Sequence, residues 1–234
     1  MKQKTRVIIV FSFLLVSLFL IVPASYALPV AINNYSFESS SAPLITSSKN
    51  GSTYTVAGFG GWNYTGNGNW GIWSTSSASY SAPIPDGNYI GHLTNGSIFQ
   101  DTGWLVQASN IFTLTVDIGN RLDYAFTGNY GVELLAGSNV IASSYSVIPG
   151  VGQFSTLSMD YIAMAGDINI GSTLGIRIFS DGGQQLNFDN IRLSNDPYSN
   201  GGQPAAPVPE PGTMVLLGLG LAGIAGFGRS KIKK

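Results

Sequence analysis

Ile111-Phe112-Thr113-Leu114-Thr115-Val116-Asp117-Ile118 alternates without a break. Phe112, Leu114, Val116 and Ile118 fall on one face, while Thr113, Thr115 and Asp117 fall on the other. A period of two with one apolar face marks a half-buried antiparallel strand. The same pattern recurs at Tyr130-Val132-Leu134, Leu157-Met159-Tyr161 and Leu174-Ile176-Ile178. Turn-forming clusters separate these runs. Ala136-Gly137-Ser138-Asn139 leads into a partner strand from Val140 to Ser146, and Ile148-Pro149-Gly150 and Asp181-Gly182-Gly183 follow. Between the apolar termini no stretch shows a 3.6-residue period. Eight to ten short strands of this kind predict an all-β fold, an antiparallel β-sandwich of the jelly-roll type.

The last strand of the pattern changes phase. Leu186 and Phe188 share one parity, Ile191 and Leu193 the other. A strand cannot change faces without an inserted residue, so a bulge or twist is expected at Asp189-Asn190.

Outside residues 28–198 the composition changes. At the N-terminus, Lys2, Lys4 and Arg6 precede a 16-residue apolar run from Val7 to Val22. Ser25-Tyr26-Ala27 then offers small residues at positions −3 and −1 of a signal-peptidase site, so residues 1–27 read as a signal peptide engaging the Sec machinery. Cleavage between Ala27 and Leu28 would make Leu28 the mature N-terminus; the alternative is an uncleaved membrane helix. A Gly- and Pro-rich linker, residues 199–207, leads to a tail at 208–234. The tail comprises Val208-Pro209-Glu210-Pro211, an uncharged 17-residue run from Gly212 to Gly228, and the basic end Arg229-Ser230-Lys231-Ile232-Lys233-Lys234. That run is near the lower length limit for a single transmembrane helix, and the cations after it favour a cytoplasmic end.

This tail resembles the PEP-CTERM sorting tail of Gram-negative bacteria that make extracellular polysaccharide. The resemblance implies export, recognition at Val208, Pro209, Glu210 and Pro211 by an exosortase-type membrane protease, and transient anchoring in the inner membrane. Display at the cell surface or release into the extracellular matrix would follow. A plain C-terminal membrane anchor is the alternative.

Seven of the 11 basic residues lie in the terminal segments, which leaves four against 11 acids in the domain itself. An acidic domain without a basic stripe is a poor nucleic-acid binder, and no nucleic-acid partner is expected. Cysteine is absent, which excludes disulfides, thiol catalysis and thiolate metal sites.

Two motifs bracket the domain: Asn33-Asn34-Tyr35-Ser36-Phe37-Glu38 near its start and Phe188-Asp189-Asn190-Ile191-Arg192-Leu193 near its end. Together with the strand pattern between them, they resemble the galactose-binding-like jelly rolls that include many carbohydrate-binding modules. That resemblance implies a structural calcium ion held by Glu38 and Asp189, with backbone carbonyls completing the six to eight oxygens calcium requires. The other reading makes Glu38 a solvated strand-end residue and Asp189 a bulge former.

Aromatic residues crowd between Phe59 and Tyr89, among Gly, Asn, Ser and Thr. Trp70, Trp73 and Tyr80 are candidate stacking surfaces for sugar rings, with Asn67 and Asn69 as hydrogen-bonding partners. Trp62 and Trp104 are expected in the core, the alternative role for every tryptophan here.

Catalysis finds little support in the chain. No pair of acids carries a glycosidase spacing, His92 is the only histidine, and no nucleophile elbow, P-loop or dinucleotide fingerprint occurs. His92 is expected to be a half-buried or surface strand residue. The expected function is therefore non-enzymatic: an exported matrix or surface protein that associates with exopolysaccharide. A purely structural surface protein and a secreted carbohydrate-active hydrolase are the alternatives.

Overall fold

The computed structural model describes residues 27–47, 52–145 and 147–198. The expected signal peptide apart from Ala27, the linker and the sorting tail, with Val208–Pro211, lie outside the described residues. Among the described residues, thirteen strands form two antiparallel sheets. The larger sheet runs β11 (Gln153–Ala163), β8 (Asn110–Asn120), β13 (Leu186–Pro197), β6 (Ile90–Leu93), β5 (Trp70–Trp73), β3 (Thr53–Tyr54) and β2 (Ile45–Thr46). β1 (Leu28–Val30) pairs with the far half of β13. The smaller sheet runs β10 (Asn139–Ser144), β9 (Asn129–Ala136), β12 (Thr173–Asp181), β7 (Gly96–Leu105) and β4 (Asn63–Gly66). The expected all-β sandwich is what the chain forms, and no helix occurs among the described residues.

β8 lies between β11 and β13, and its alternation is realised: Phe112, Leu114, Val116 and Ile118 are buried in the space between the sheets. The other predicted apolar sets follow: Tyr130, Val132 and Leu134 on β9, Leu157 and Met159 on β11, and Leu174, Ile176 and Ile178 on β12 are buried, while Tyr161, the last of the β11 set, is only half-buried against the core. Phe188 anchors one end of this core. Phe37 meets it edge-on at 5.0 Å between ring centroids, and Phe59 packs edge-on against Phe37 at 4.9 Å. The Phe188 ring occupies the space where a Cβ on Gly91 of β6 would stand. Glycine there is a packing requirement.

The phase change in β13 is a bulge. Its register against β8 shifts between Asp189 and Arg192, and Asn190 takes φ +51°. The Ile191 N–H leaves the ladder and donates to Tyr35 O at 2.9 Å. Leu186, Phe188, Ile191 and Leu193 are thereby all buried.

A second, smaller apolar cluster of Trp73, Tyr80 and Ile90 forms, with Tyr54, Ile84 and Phe154 against it. It sits on the outer face of the larger sheet. On β5, Trp70 and Ile72 pack against the inner core while Trp73 points outward; on β6, Leu93 is inner and Ile90 outer.

Candidate functional site

The outer face of the larger sheet carries a hollow of about 410 Å³ beside this second cluster. β5 contributes Trp73 and β6 contributes His92 and, just beyond its end, Thr94. Tyr54 on β3, together with Ser47 and Ser52 at the β2–β3 edge, forms one wall. Arg121, Asp123 and Gln185 close the other side from the loops after β8 and before β13.

His92 follows from strand parity. Two residues after outward Ile90, it shares the outer face, and only 4% of its surface is exposed. Its Nε2 lies 2.8 Å from Thr55 O. A carbonyl can only accept, so Nε2 carries the proton and donates. Nδ1 is then a lone-pair acceptor, and it is buried with no partner. Burial pulls the imidazole down to about 4, so the ring is neutral at physiological pH.

Arg121 is fixed on three sides. Its Nε and Nη2 donate to the two oxygens of Asp123 at 2.9 and 2.7 Å, and its Nη1 donates to Gln185 Oε1 at 2.6 Å. Its guanidinium lies 4.4 Å over the Trp73 ring. Arg121 holds the Asp123 carboxyl below the usual carboxylate range, and Ser79 adds a further hydrogen bond. Asp123 is therefore an ionised acceptor at neutral pH.

The structure does not bring the three expected sugar-stacking residues onto one surface. Trp70 and Trp73 are three residues apart on one strand and project from opposite faces. Trp70 lies parallel to Tyr64 at 4.9 Å and meets Phe59 edge-on at 5.0 Å. Trp73 does border the hollow, but it is 6% exposed and its face is covered by Arg121. Tyr80 is 3% exposed, stacks on Phe154 at 4.5 Å and donates its hydroxyl to Asn187 Oδ1 at 3.0 Å. Burial raises that phenol well above its ordinary range. Asn69 lines the hollow, whereas the Asn67 side chain is held by the Asn95 amide. Trp62 is core, with its indole N–H donating to Asn33 O at 3.1 Å, and Trp104 is half-buried against the same core.

Glu38 and Asp189 do approach the same segment, Asp86–Tyr89. Glu38 Oε1 accepts the backbone N–H groups of Asn88 and Tyr89, each at 2.8 Å. Asp189 is wholly buried; its Oδ2 accepts Asp86 N–H at 3.0 Å and its Oδ1 accepts Asn190 N–H at 2.7 Å. Burial pushes the Asp189 carboxyl up to about 8, the two N–H bonds oppose this, and the charges of Asp86 and Asp117 add to it. Among the described residues no three His, Asp or Glu side chains converge as a metal site. At the N-terminus, β1 begins at Leu28, the residue expected to follow the signal cleavage, and Ala27 before it is exposed.

Two family models match the chain. One, described as HpiC1 cyclase, covers residues 28–194, and the other, the PEP-CTERM protein-sorting motif, covers residues 207–230. The second implies export and membrane-anchored sorting to the cell surface. No curated protein matches the sequence. Among solved structures, a Stig cyclase from Fischerella sp. TAU, crystallised with (3Z)-3-(1-methyl-2-pyrrolidinylidene)-3H-indole, aligns at 26% identity and TM-score 0.63. The alignment covers 74% of this chain and all of that one. A cyclase from the same source in complex with 4-(1H-indol-3-yl)butan-2-one aligns at 25% identity and TM-score 0.62, over 74% of this chain and 100% of that one. A carbohydrate-binding module in complex with β-1,4-galactotriose aligns at 12% identity and TM-score 0.41, over 58% and 88% of the two chains.

Proposed function

Because the chain belongs to the HpiC1-like cyclase family and also carries a PEP-CTERM sorting motif, we propose that it uses the family's fold as a surface-displayed binding module. Its ligand is a neutral, hydroxyl-bearing unit of an extracellular polysaccharide, taken up in the hollow on the larger sheet. The observation that carries this reading is His92. A neutral imidazole whose Nδ1 accepts nothing from the protein, in a hollow bordered by Asn69, Thr94 and Gln185, suits a hydroxyl donor. A buried acceptor without a partner carries a desolvation penalty of about 1–3 kcal/mol, which a ligand hydroxyl removes.

The same hollow is poorly equipped for acid catalysis. An acid catalyst must hold a proton near working pH. Arg121 keeps Asp123 ionised, and His92 is too weakly basic to be protonated. This supports binding without turnover. The second reading, cyclisation of a small indole-bearing substrate, is favoured by the family match and by the ligands crystallised in its cyclase neighbours.

One titration separates the two. Neutral oligosaccharides and 4-(1H-indol-3-yl)butan-2-one are added in parallel to the purified protein while tryptophan fluorescence is followed. Saturable binding of an oligosaccharide, weakened in His92→Leu, supports the first reading. Binding or conversion of the indole ketone alone replaces it with the second.

We further propose a structural calcium ion between Glu38 and Asp189. A cation there would counter the burial of Asp189 and the charges of Asp86 and Asp117, and backbone carbonyls must supply the ligands these acids do not. Calcium bound only to the folded state raises the melting midpoint over that in chelator; an equal midpoint rejects the ion.

A further inference from the structure

One end of the sandwich gathers exposed apolar side chains at the point where the chain departs for its sorting tail. Tyr198 N–H donates to Ser109 O at 2.8 Å, and Ser109 N–H donates to Ala163 O at 2.7 Å. The exit of β13, the β7–β8 turn and the end of β11 are thus tied together. The β11–β12 loop joins them through Gly171 N–H to Val106 O at 2.9 Å, and the β9–β10 turn through Gly137 N–H to Thr173 O at 2.8 Å. Leu105, Val140, Met164, Ile168 and Ile170 all belong to this end, and they are between 40% and 93% exposed.

The most exposed of them is held firmly. Ile168 stands at 93% exposure between Asp167 and Asn169. Asp167 Oδ1 accepts the Asn169 N–H at 2.8 Å and its Oδ2 accepts the Tyr161 hydroxyl at 2.5 Å. Ile170 N–H donates back to Asp167 O at 3.2 Å. A loop so braced presents an isoleucine outward and does not fold it back onto the core. Val140 and Ile168 also border one shallow hollow, which places the two loops side by side.

We propose that this end is a membrane-facing surface, whose exposed apolar side chains rest on an uncharged bilayer interface while the sorting tail is still attached. The occupant follows from where the chain goes. Thirteen residues separate Tyr198 from the apolar run that begins at Gly212. Fully extended they reach at most about 45 Å, so the tail keeps this end of the domain near any bilayer it enters. Tethering raises the effective concentration of the bilayer at this surface, so contacts too weak to bind a free domain suffice. The surface favours zwitterionic lipid. The described basic residues Arg121, Arg177 and Arg192 lie elsewhere, and the acids Asp160 and Asp196 lie near this end, opposite Thr113 and Ile111 of β8. This inference rests on the sorting tail entering a membrane.

The absence of cysteine makes the test clean. The full chain carrying Ile168→Cys, or Val151→Cys at the opposite end, is labelled with an environment-sensitive dye and reconstituted into phosphatidylcholine vesicles. Flotation first reports whether the tail holds the chain on lipid. Nitroxide-bearing lipid is then added as quencher. At least threefold stronger quenching at position 168 than at position 151 is expected, with the difference lost when Met164→Ser and Ile170→Ser are added. A chain that floats but is quenched no more at 168 than at 151 overturns the inference and leaves the tail reading intact. Protection of the dye in detergent without lipid points to a second copy and also overturns it. A chain that does not float overturns both.

Discussion

The wholly buried Asp189 and the buried His92 together predict an unusual dependence of stability on pH. Unfolded, the Asp189 carboxyl titrates near 3.9; folded, it titrates at about 8. Between those values the native state holds a proton that the unfolded state has released. Its contribution to stability therefore falls as pH rises, by about 1.36 kcal/mol per unit, until it levels off above pH 8. His92 acts in the opposite sense. Its folded value of about 4 lies below the unfolded 6.5, so between these the unfolded state holds the extra proton and stability rises with pH. The two slopes cancel from about pH 4 to 6.5, and Asp189 acts alone from 6.5 to 8. Asp123, whose carboxyl is held low, contributes only at more acidic pH. The expected loss over pH 6.5–8 is about 2 kcal/mol, on the order of 4–8 °C in melting midpoint for a domain of this size. The assay is thermal melting in chelator, followed by circular dichroism. Asp189→Asn should melt at one temperature across that window, offset downward because its amide leaves Asp86 or Asn190 N–H facing a second donor. His92→Leu should extend the fall down to about pH 4. A wild-type midpoint that stays constant from pH 6.5 to 8, or a fall that survives Asp189→Asn, would mean that Asp189 does not carry the pH dependence. Excess calcium should abolish the fall, since a bound cation stabilises the carboxylate.

Other outcomes follow from the packing and the termini. Phe188→Ala removes a fully buried ring that touches Phe37 and fills the space over Gly91, and should cost about 3–5 kcal/mol in denaturant unfolding. Gly91→Ala places a methyl group 2.2 Å from the Phe188 ring and should cost about 1–3 kcal/mol, recovered in part by adding Phe188→Leu. Glu210→Ala, within the sorting motif, should leave the chain unprocessed in the membrane fraction, which mass spectrometry of its C-terminus would read directly.

The strands of the larger core could be read from the sequence because burial imposed a period of two on them, as in β8, β9 and β12. The bulge at Asp189-Asn190 was legible for the same reason: two apolar pairs of opposite parity cannot share a face without an inserted residue. Strands β1, β2 and β3 are two or three residues long, too short to show a period, so the sheet has more strands than the pattern suggested. Composition alone grouped Trp70 with Trp73. Their separation by three residues already puts them on opposite faces once both lie on one strand, and strand parity would have divided them. The alternation around Ile90 marks His92 as a strand residue, but its depth depends on Thr55, 37 residues away. Arg121, Asp123 and Gln185 come from loops without any repeating pattern. Their meeting over Trp73 is a product of tertiary structure, as is the bond from Tyr80 to Asn187, 107 residues apart.

Glycan binding by this domain depends most on a ligand hydroxyl satisfying His92 in the outer hollow. Glycan-array binding by the purified chain, compared with His92→Leu at matched melting temperature, addresses this directly. Binding of at least one neutral glycan is expected, weakened about tenfold in the variant, which corresponds to the loss of one hydrogen bond of about 1.4 kcal/mol. An array with no bound glycan, or one on which His92→Leu binds as tightly as the wild type, would contradict it.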